Sequence, residues 1–251
     1  MNKRLEDLKV KIFADGADVA GIEEWSRNPL IGGFTTNPTL MRAAGVTDYE
    51  GFAREVIRKV PTYPVSFEVF SDEFDEMHEQ AERIASWGEN VYVKIPITNT
   101  RSESSAPLIR ELSSRGVKVN VTAILTIDQV ARTVEALRPD VPAYVSVFAG
   151  RIADTGRDPI PVISAALDLM RLRPSAELIW ASPREVLNVI QADELGCHVI
   201  TMTHELLRKL TTLGRDLTQF SLDTVCMFRR DAMAAGFQLP CDRRSLSAAH
   251  R

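Results

Sequence analysis

Eight short runs rich in β-branched and aromatic residues recur along the whole chain, and no other feature limits its fold as strongly. They are VKIFADG at 10–16, IGGFTTNP at 31–38, VSFEVF at 65–70, NVYVKIP at 90–96, VKVNVTAI at 117–124, AYVSVFAG at 143–150, AELIWASP at 176–183 and HVITMT at 198–203. Between them lie stretches with apolar residues at helical spacing and Glu, Arg and Lys on the opposite face. DYEGFAREVIRKV (48–60), SDEFDEMHEQAERIASW (71–87) and DQVARTVEALR (128–138) are the clearest. Helix starts are expected at Asp48, at Ser71-Asp72, at Thr126 with Gln129 three residues on, and at Ser182-Pro183 with Glu185. Strands alternating with helices of this length pair in parallel through right-handed crossovers. Eight such units predict an α/β fold, a single (β/α)8 TIM barrel with a short C-terminal helical extension. The competitor is a doubly wound open sheet, which usually carries a GxGxxG or GxxxxGKS turn after a strand. Neither motif occurs, and Gly32-Gly33 falls at the start of its run. One domain is expected over 1–240, ending in helices near 204–213 and 221–236, with a flexible tail at 241–251.

A single domain of 251 residues suits an architecture grown around one closed sheet. Hydrophobic residues make up 45% and charged residues 25%, enough apolar side chain to offset the entropy of ordering, which excludes a disordered chain. Thirty Lys and Arg against 34 Asp and Glu give a net charge of −4. That balance argues against nucleic-acid or membrane partners, so a phosphate-bearing ligand must be held by a few local cations. The three cysteines form no CxxC pair and the four histidines show no ligand spacing, so no metal is expected. MNKRLEDLKVK lacks the apolar core of a secretory signal, and no apolar run is long enough to span a membrane; a cytoplasmic protein is expected.

In a barrel the C-terminal strand ends build the site. In order, these ends carry Asp15, Thr35-Thr36-Asn37-Pro38, Glu68, Lys94, Asn120 with Thr122, Ser146 with Arg151, and Ser182 with Arg184. Parallel barrel strands are normally apolar, so polar groups recurring at one end weigh more than any single residue. Lys94 lies between Val93 and Ile95, well inside its run, whereas Lys11 and Lys118 sit at strand starts where an amine snorkels to water. Desolvation of such an amine favours the neutral nucleophile that a Schiff base needs. Glu68 has apolar neighbours on both sides, which suits either a buried ion pair with Lys94 or general acid/base work. Asp15 reads as a helix cap or as a second catalytic carboxylate. Arg151 and Arg184, beside Ser182, follow the sixth and seventh runs, where barrels often hold phosphate; surface ion pairs are the plain alternative.

These residues resemble the transaldolase family of class I aldolases from about Lys9 to about Leu210, through FADG, TTNP, FEVF, VKIP, NVT, SVFAGRI and ASPRE in that order. The resemblance implies that Lys94 forms a Schiff base with the C2 ketone of a ketose phosphate. Asp15 would take the C4 hydroxyl proton, and Glu68 with Thr122 would hold a catalytic water. Asn37, Asn120 and Ser146 would hold the dihydroxyacetone hydroxyls, with Thr35 and Phe148 shaping that pocket, and Arg151, Ser182 and Arg184 would bind the phosphate. The implied reaction transfers a dihydroxyacetone unit from fructose 6-phosphate or sedoheptulose 7-phosphate to an aldose phosphate. No cofactor is implied, because the iminium is itself the electron sink. A related subgroup, the fructose-6-phosphate aldolases, releases dihydroxyacetone and carries Gln and Tyr where this chain has Glu68 and Phe148, which favours the transferase. A dihydroxyacetone-releasing aldolase and a non-catalytic phosphosugar binder are the alternatives. A homo-oligomer is expected, with Phe228 and Phe237 serving an interface or packing onto the barrel.

Overall fold

All eight predicted runs form strands of one closed barrel, in which each strand pairs in parallel with its sequence neighbour and β8 closes onto β1. The strands are β1 (Lys11–Asp15), β2 (Ile31–Thr35), β3 (Val65–Glu68), β4 (Val91–Pro96), β5 (Val119–Ile124), β6 (Ala143–Val147), β7 (Ala176–Trp180) and β8 (Val199–Thr203). The structure is a computed structural model that describes residues 4–239, so the expected tail at 241–251 lies outside the described residues. The sheet is surrounded by α1 (Val19–Ser26), α2 (Pro38–Ala43), α3 (Tyr49–Lys59), α4 (Phe74–Ala85), α5 (Ala106–Ser114), α6 (Ile127–Ala136), α7 (Ala149–Asp154), α8 (Ile160–Met170), α9 (Leu187–Leu195) and α10 (His204–Lys209).

Side chains alternate across each strand, and the two faces have different work. Outward positions such as Ile12, Phe34, Phe67, Val93, Val121, Val145, Leu178 and Ile200 are almost fully buried in the main apolar cluster shared with the helices. Inward positions form a second, smaller cluster of Phe13, Tyr144, Ile179, Ala181 and Val199. The Phe13 and Tyr144 rings meet edge to face with centroids 5.5 Å apart. A Cβ on Gly33 would lie 2.6 Å from the Phe13 ring, so glycine there lets Phe13 fill the barrel. Above that apolar plug, the same inward face turns polar.

Helix ends explain most of the element boundaries. Asp18 accepts from Gly21 N–H, Asp48 from Gly51 N–H, and Thr126 and Gln129 form the expected reciprocal capping box. Two expected starts are corrected. Glu73, not Ser71-Asp72, occupies the N-cap position of α4; Asp72 is engaged elsewhere, accepting from Thr100 N–H at 2.7 Å and Thr100 hydroxyl at 2.6 Å. The helix expected from Ser182-Pro183 starts only at Leu187, because Ser182 adopts φ 59°, a left-handed conformation outside the extended region an N-cap needs. Asn188 accepts from Arg184 N–H at 2.7 Å and Glu185 N–H at 3.2 Å, holding that segment as a loop. The expected runs at 31–38 and 143–150 extend past β2 and β6, since Pro38 opens the short α2 and Ala149-Gly150 open the short α7.

The chain divides into two compact units, one ending at Thr211 and the other beginning at Thr212. The second contains α11 (Leu217–Ala234), which starts four residues before the expected 221 because Asp216 caps it through Gln219 N–H. None of its residues is buried, and Phe228 and Phe237 are both exposed.

Candidate active site

The polar upper layer of the barrel opens into a cavity of about 480 Å³, within the range of small-molecule sites. Its walls include Asp15, Thr35, Asn37, Glu68, Lys94, Thr122, Ser146, Phe148, Arg151, Ser182 and Arg184, eleven of the twelve site residues expected from sequence. The twelfth, Asn120, is fully buried and does not line the cavity. Its Nδ2 donates to Ser66 Oγ at 3.0 Å and its Oδ1 accepts from Ser146 Oγ at 2.7 Å, so it orients Ser146 from below.

Register brings the charged groups together. Glu68 on β3 lies opposite Lys94 on β4, and both are inward positions. Lys94 is 6% exposed; its Nζ donates to the Thr36 carbonyl at 2.8 Å and lies 3.3 Å from Glu68 Oε2. The backbone carbonyl of Glu68 accepts from Tyr49 hydroxyl at 2.6 Å, which ties β3 to α3. The first bond holds the amine, and the second fixes the backbone from which Glu68 projects. Thr122 Oγ1, on β5, is buried and has no hydrogen-bond partner among the described residues. It is therefore available to a water or a substrate hydroxyl entering beside Lys94.

Asp15 is not the cap of α1, a role held by Asp18. Its Oδ1 accepts from the Thr35 hydroxyl at 2.8 Å. Burial pushes its carboxyl above the usual carboxylate range; the Lys94 charge and the Thr35 bond oppose that, and the Glu68 charge adds to it. A carboxyl so placed exchanges a proton nearer neutrality than a solvated one. Lysine amine, two carboxyls and an unpartnered hydroxyl can together run nucleophilic addition to a carbonyl with proton transfers.

At the other rim, Arg184 forms a two-point pair with Asp154, with Nε 3.0 Å from Oδ1 and Nη2 on Oδ2. Both side chains are about half exposed, so Arg184 makes the plain ion pair while also lining the cavity. The Arg151 guanidinium lies over the Phe148 ring, 5.7 Å from its centroid. Asn37 caps α2 through Leu40 N–H at 3.0 Å, which leaves its amide nitrogen for a ligand. Thr201 and Thr203, on β8, also line the cavity and were not singled out from sequence. Among the described residues, no group of three or more His, Cys, Asp or Glu is arranged to hold a metal ion, and no helix is long and apolar enough to cross a membrane.

Two solved structures share the fold. A "putative phosphonomutase" from Burkholderia cenocepacia matches with TM-score 0.56 at 13% identity, covering 81% of this chain and 91% of that one. A "putative dihydrodipicolinate synthase family protein" from Coccidioides immitis gives 0.54 at 15%, covering 80% and 68%. At those identities the likeness concerns the fold alone. Proteins described as "Probable transaldolase" in Streptococcus pyogenes, from serotypes M5 and M49 among others, are 36% identical over 203 residues, covering 80% of this chain and 90% of theirs. The model of the transaldolase/fructose-6-phosphate aldolase family matches residues 12–239. This chain belongs to that family.

Proposed function

We propose that the protein is a transaldolase that moves a dihydroxyacetone unit between sugar phosphates through a Schiff base on Lys94. The observation that carries this reading is the buried Lys94 amine 3.3 Å from Glu68, at the inner end of a cavity lined by Asp15 and Thr122. The amine adds to the C2 carbonyl of the ketose phosphate. A water between Glu68 and Thr122 relays the protons as the carbinolamine loses its hydroxyl and becomes an iminium. Asp15 then takes the C4 hydroxyl proton; the C3–C4 bond breaks, its electron pair enters the iminium, and an aldose phosphate leaves. The remaining enamine stays attached to Lys94 and adds to a second aldose phosphate, while Asp15 returns its proton to the new C4 oxygen. Water then hydrolyses the imine and frees the lengthened ketose. Ser146, held by Asn120, and Asn37 bind the hydroxyls of the attached three-carbon unit, and Thr35 and Phe148 bound its space. Arg151, Ser182 and Arg184 hold the terminal phosphate, Arg184 exchanging part of its pairing with Asp154 for the anion.

Glu68 and Phe148 favour transfer over release of dihydroxyacetone, since neither supplies the tyrosine hydroxyl that would protonate the enamine. The test measures glyceraldehyde 3-phosphate formed from fructose 6-phosphate with and without erythrose 4-phosphate, with Lys94→Ala as blank. Borohydride should also fix the substrate carbon on the Lys94 peptide, detected by mass. Product only with the acceptor is the expected result. Equal product without it would make the protein an aldolase, and turnover by Lys94→Ala would sink the imine.

A further inference from the structure

Thr201 sits on β8 next to the most reactive corner of the cavity, yet the chemistry outlined above gives it no part. Its hydroxyl lies 2.5 Å from Thr35 Oγ1, and it is buried. Thr35 Oγ1 in turn donates to Asp15 Oδ1 at 2.8 Å. A threonine hydroxyl has one proton. With the Thr35 proton on Asp15, the short bond between the two threonines must be donated by Thr201. The three side chains therefore form a directed chain across three adjacent strands, from β8 over β1 to β2 and back to β1. Register agrees: Asp15 pairs with Thr35 on one side and with Thr203 on the other, and Thr201 lies one inward position below Thr203.

We infer that Thr201 is a positioning residue, which by donating to Thr35 fixes and strengthens the hydrogen bond that holds Asp15 in its ionised, proton-accepting form. A hydroxyl that accepts one hydrogen bond donates a stronger one, and a bond to a carboxylate gains most from that. The other charged groups facing Asp15 are Lys94 on β4 and Glu68 on β3. On the outer side, the α10 His204 ring lies against Gly16, with Asp18 and Glu24 of the α1 region and Arg208 of α10 acting on that ring. All of these stay in place when only the Thr201 hydroxyl is removed, so its contribution can be separated from theirs.

The inference rests on Asp15 acting as the proton acceptor, and its test is chosen to stand apart from turnover. Thr201→Val keeps the shape and deletes the hydroxyl, while Thr201→Ser keeps the hydroxyl. The Asp15 side-chain carboxyl is titrated by carbon NMR in wild type and both variants, its signal identified by its loss in Asp15→Asn. The expected result is a titration moved upward by about half a pH unit or more in Thr201→Val, with Thr201→Ser near wild type. In the kinetic profile, the acid limb of kcat should move the same way, KM should stay within about twofold, and raising the pH should restore most of the lost rate. Unchanged Asp15 titration in Thr201→Val overturns the inference even if the enzyme is active. The same holds if Thr201→Ser shifts as far as Thr201→Val, since the methyl and packing would then be responsible. A wild type without transaldolase activity would defeat the proposed function, while the carboxyl titration would still decide the role of Thr201.

Discussion

Asp15 combines a cost and a use in one side chain. Its ionised form is disfavoured by burial, so the folded protein holds that proton more tightly than the unfolded chain does. The native state therefore gains stability as pH falls through the Asp15 titration and loses it as pH rises. Asp15→Asn removes the charge while keeping an oxygen for the Thr35 hydroxyl. We expect it to raise Tm by about 2–4 °C above that titration, with the gain shrinking as acid is added. Its kcat should fall at least about 100-fold, because the amide accepts no proton. Calorimetry across pH beside a rate assay checks both, and a variant less stable than wild type at neutral pH would contradict the burial argument. Single residues differ in how much of this sequence alone reveals. Lys94 and Glu68 are legible because a charge inside an apolar strand is expensive and needs a reason. Thr201 is not, because threonine is ordinary in strands and only its partner across β1 gives it meaning. The Thr36 carbonyl that holds the Lys94 amine has no side-chain signature at all. Asn120 is legible as a polar group at a strand end, but nothing in the sequence sets its depth, and it lies buried below the cavity against Ser66 and Ser146.

Among the elements, α7 and the loop after β7 show the tightest constraint. A Cβ on Gly150 would stand 1.6 Å from the Ser182 carbonyl oxygen, a backbone atom that cannot swing aside, and 3.2 Å from Arg184 Nε. Glycine thus lets α7, bearing Arg151, lie directly on the segment bearing Ser182 and Arg184. Gly150→Ala should force the two apart, costing about 1–3 kcal/mol of stability. It should also raise KM for a phosphorylated ketose by about tenfold or more, with kcat changed far less, since the lysine end is untouched. Steady-state kinetics with a melting curve tests this; an unchanged KM would mean that the two cations do not act as one phosphate site. The positions of the strands were legible because the hydrophobic alternation repeats eight times, and Asp48 and Thr126 marked their helices by ordinary capping. The starts near Ser71 and Ser182 were not, because both serines lie in loops shaped partly by residues distant in sequence. Thr100 engages Asp72, and the approach of Gly150 accompanies the left-handed turn at Ser182.

Closure of the barrel is a property of the whole sheet, and it is thinly held at two seams: β2–β3, where only Phe34 with Val65 and Thr35 with Ser66 pair, and β7–β8. β7 and β8 share only the pairs Ile179 with Val199 and Trp180 with Ile200 in register. His198, just before β8, reinforces that seam from the strand-start end. Its Nδ1 accepts from Leu178 N–H on β7 at 3.0 Å, and its carbonyl accepts from Lys11 N–H on β1 at 3.0 Å. One residue thereby joins three strands where the sheet closes. The preceding segment is fixed to the same region, with Lys9 and Val10 N–H donating to Asp193 Oδ1 at 2.5 and 2.9 Å. The bond to Leu178 requires Nδ1 without a proton. Burial holds the imidazole below its usual range, with Lys11 reinforcing and Glu177 opposing. As pH falls below about 6.5, the unfolded chain takes up the proton first, so the stability present above that value is progressively lost. Asparagine places an amide oxygen near the position of Nδ1 and does not titrate. His198→Asn should therefore match wild type near pH 7 and exceed it by about 2–4 °C in Tm near pH 5, roughly the worth of one hydrogen bond. Hydrogen exchange should report the same event locally, with Leu178 N–H losing protection in acid in wild type but not in the variant. If both proteins lose stability equally between those pH values, acid opens the barrel elsewhere and the His198 contact is not what closes this seam.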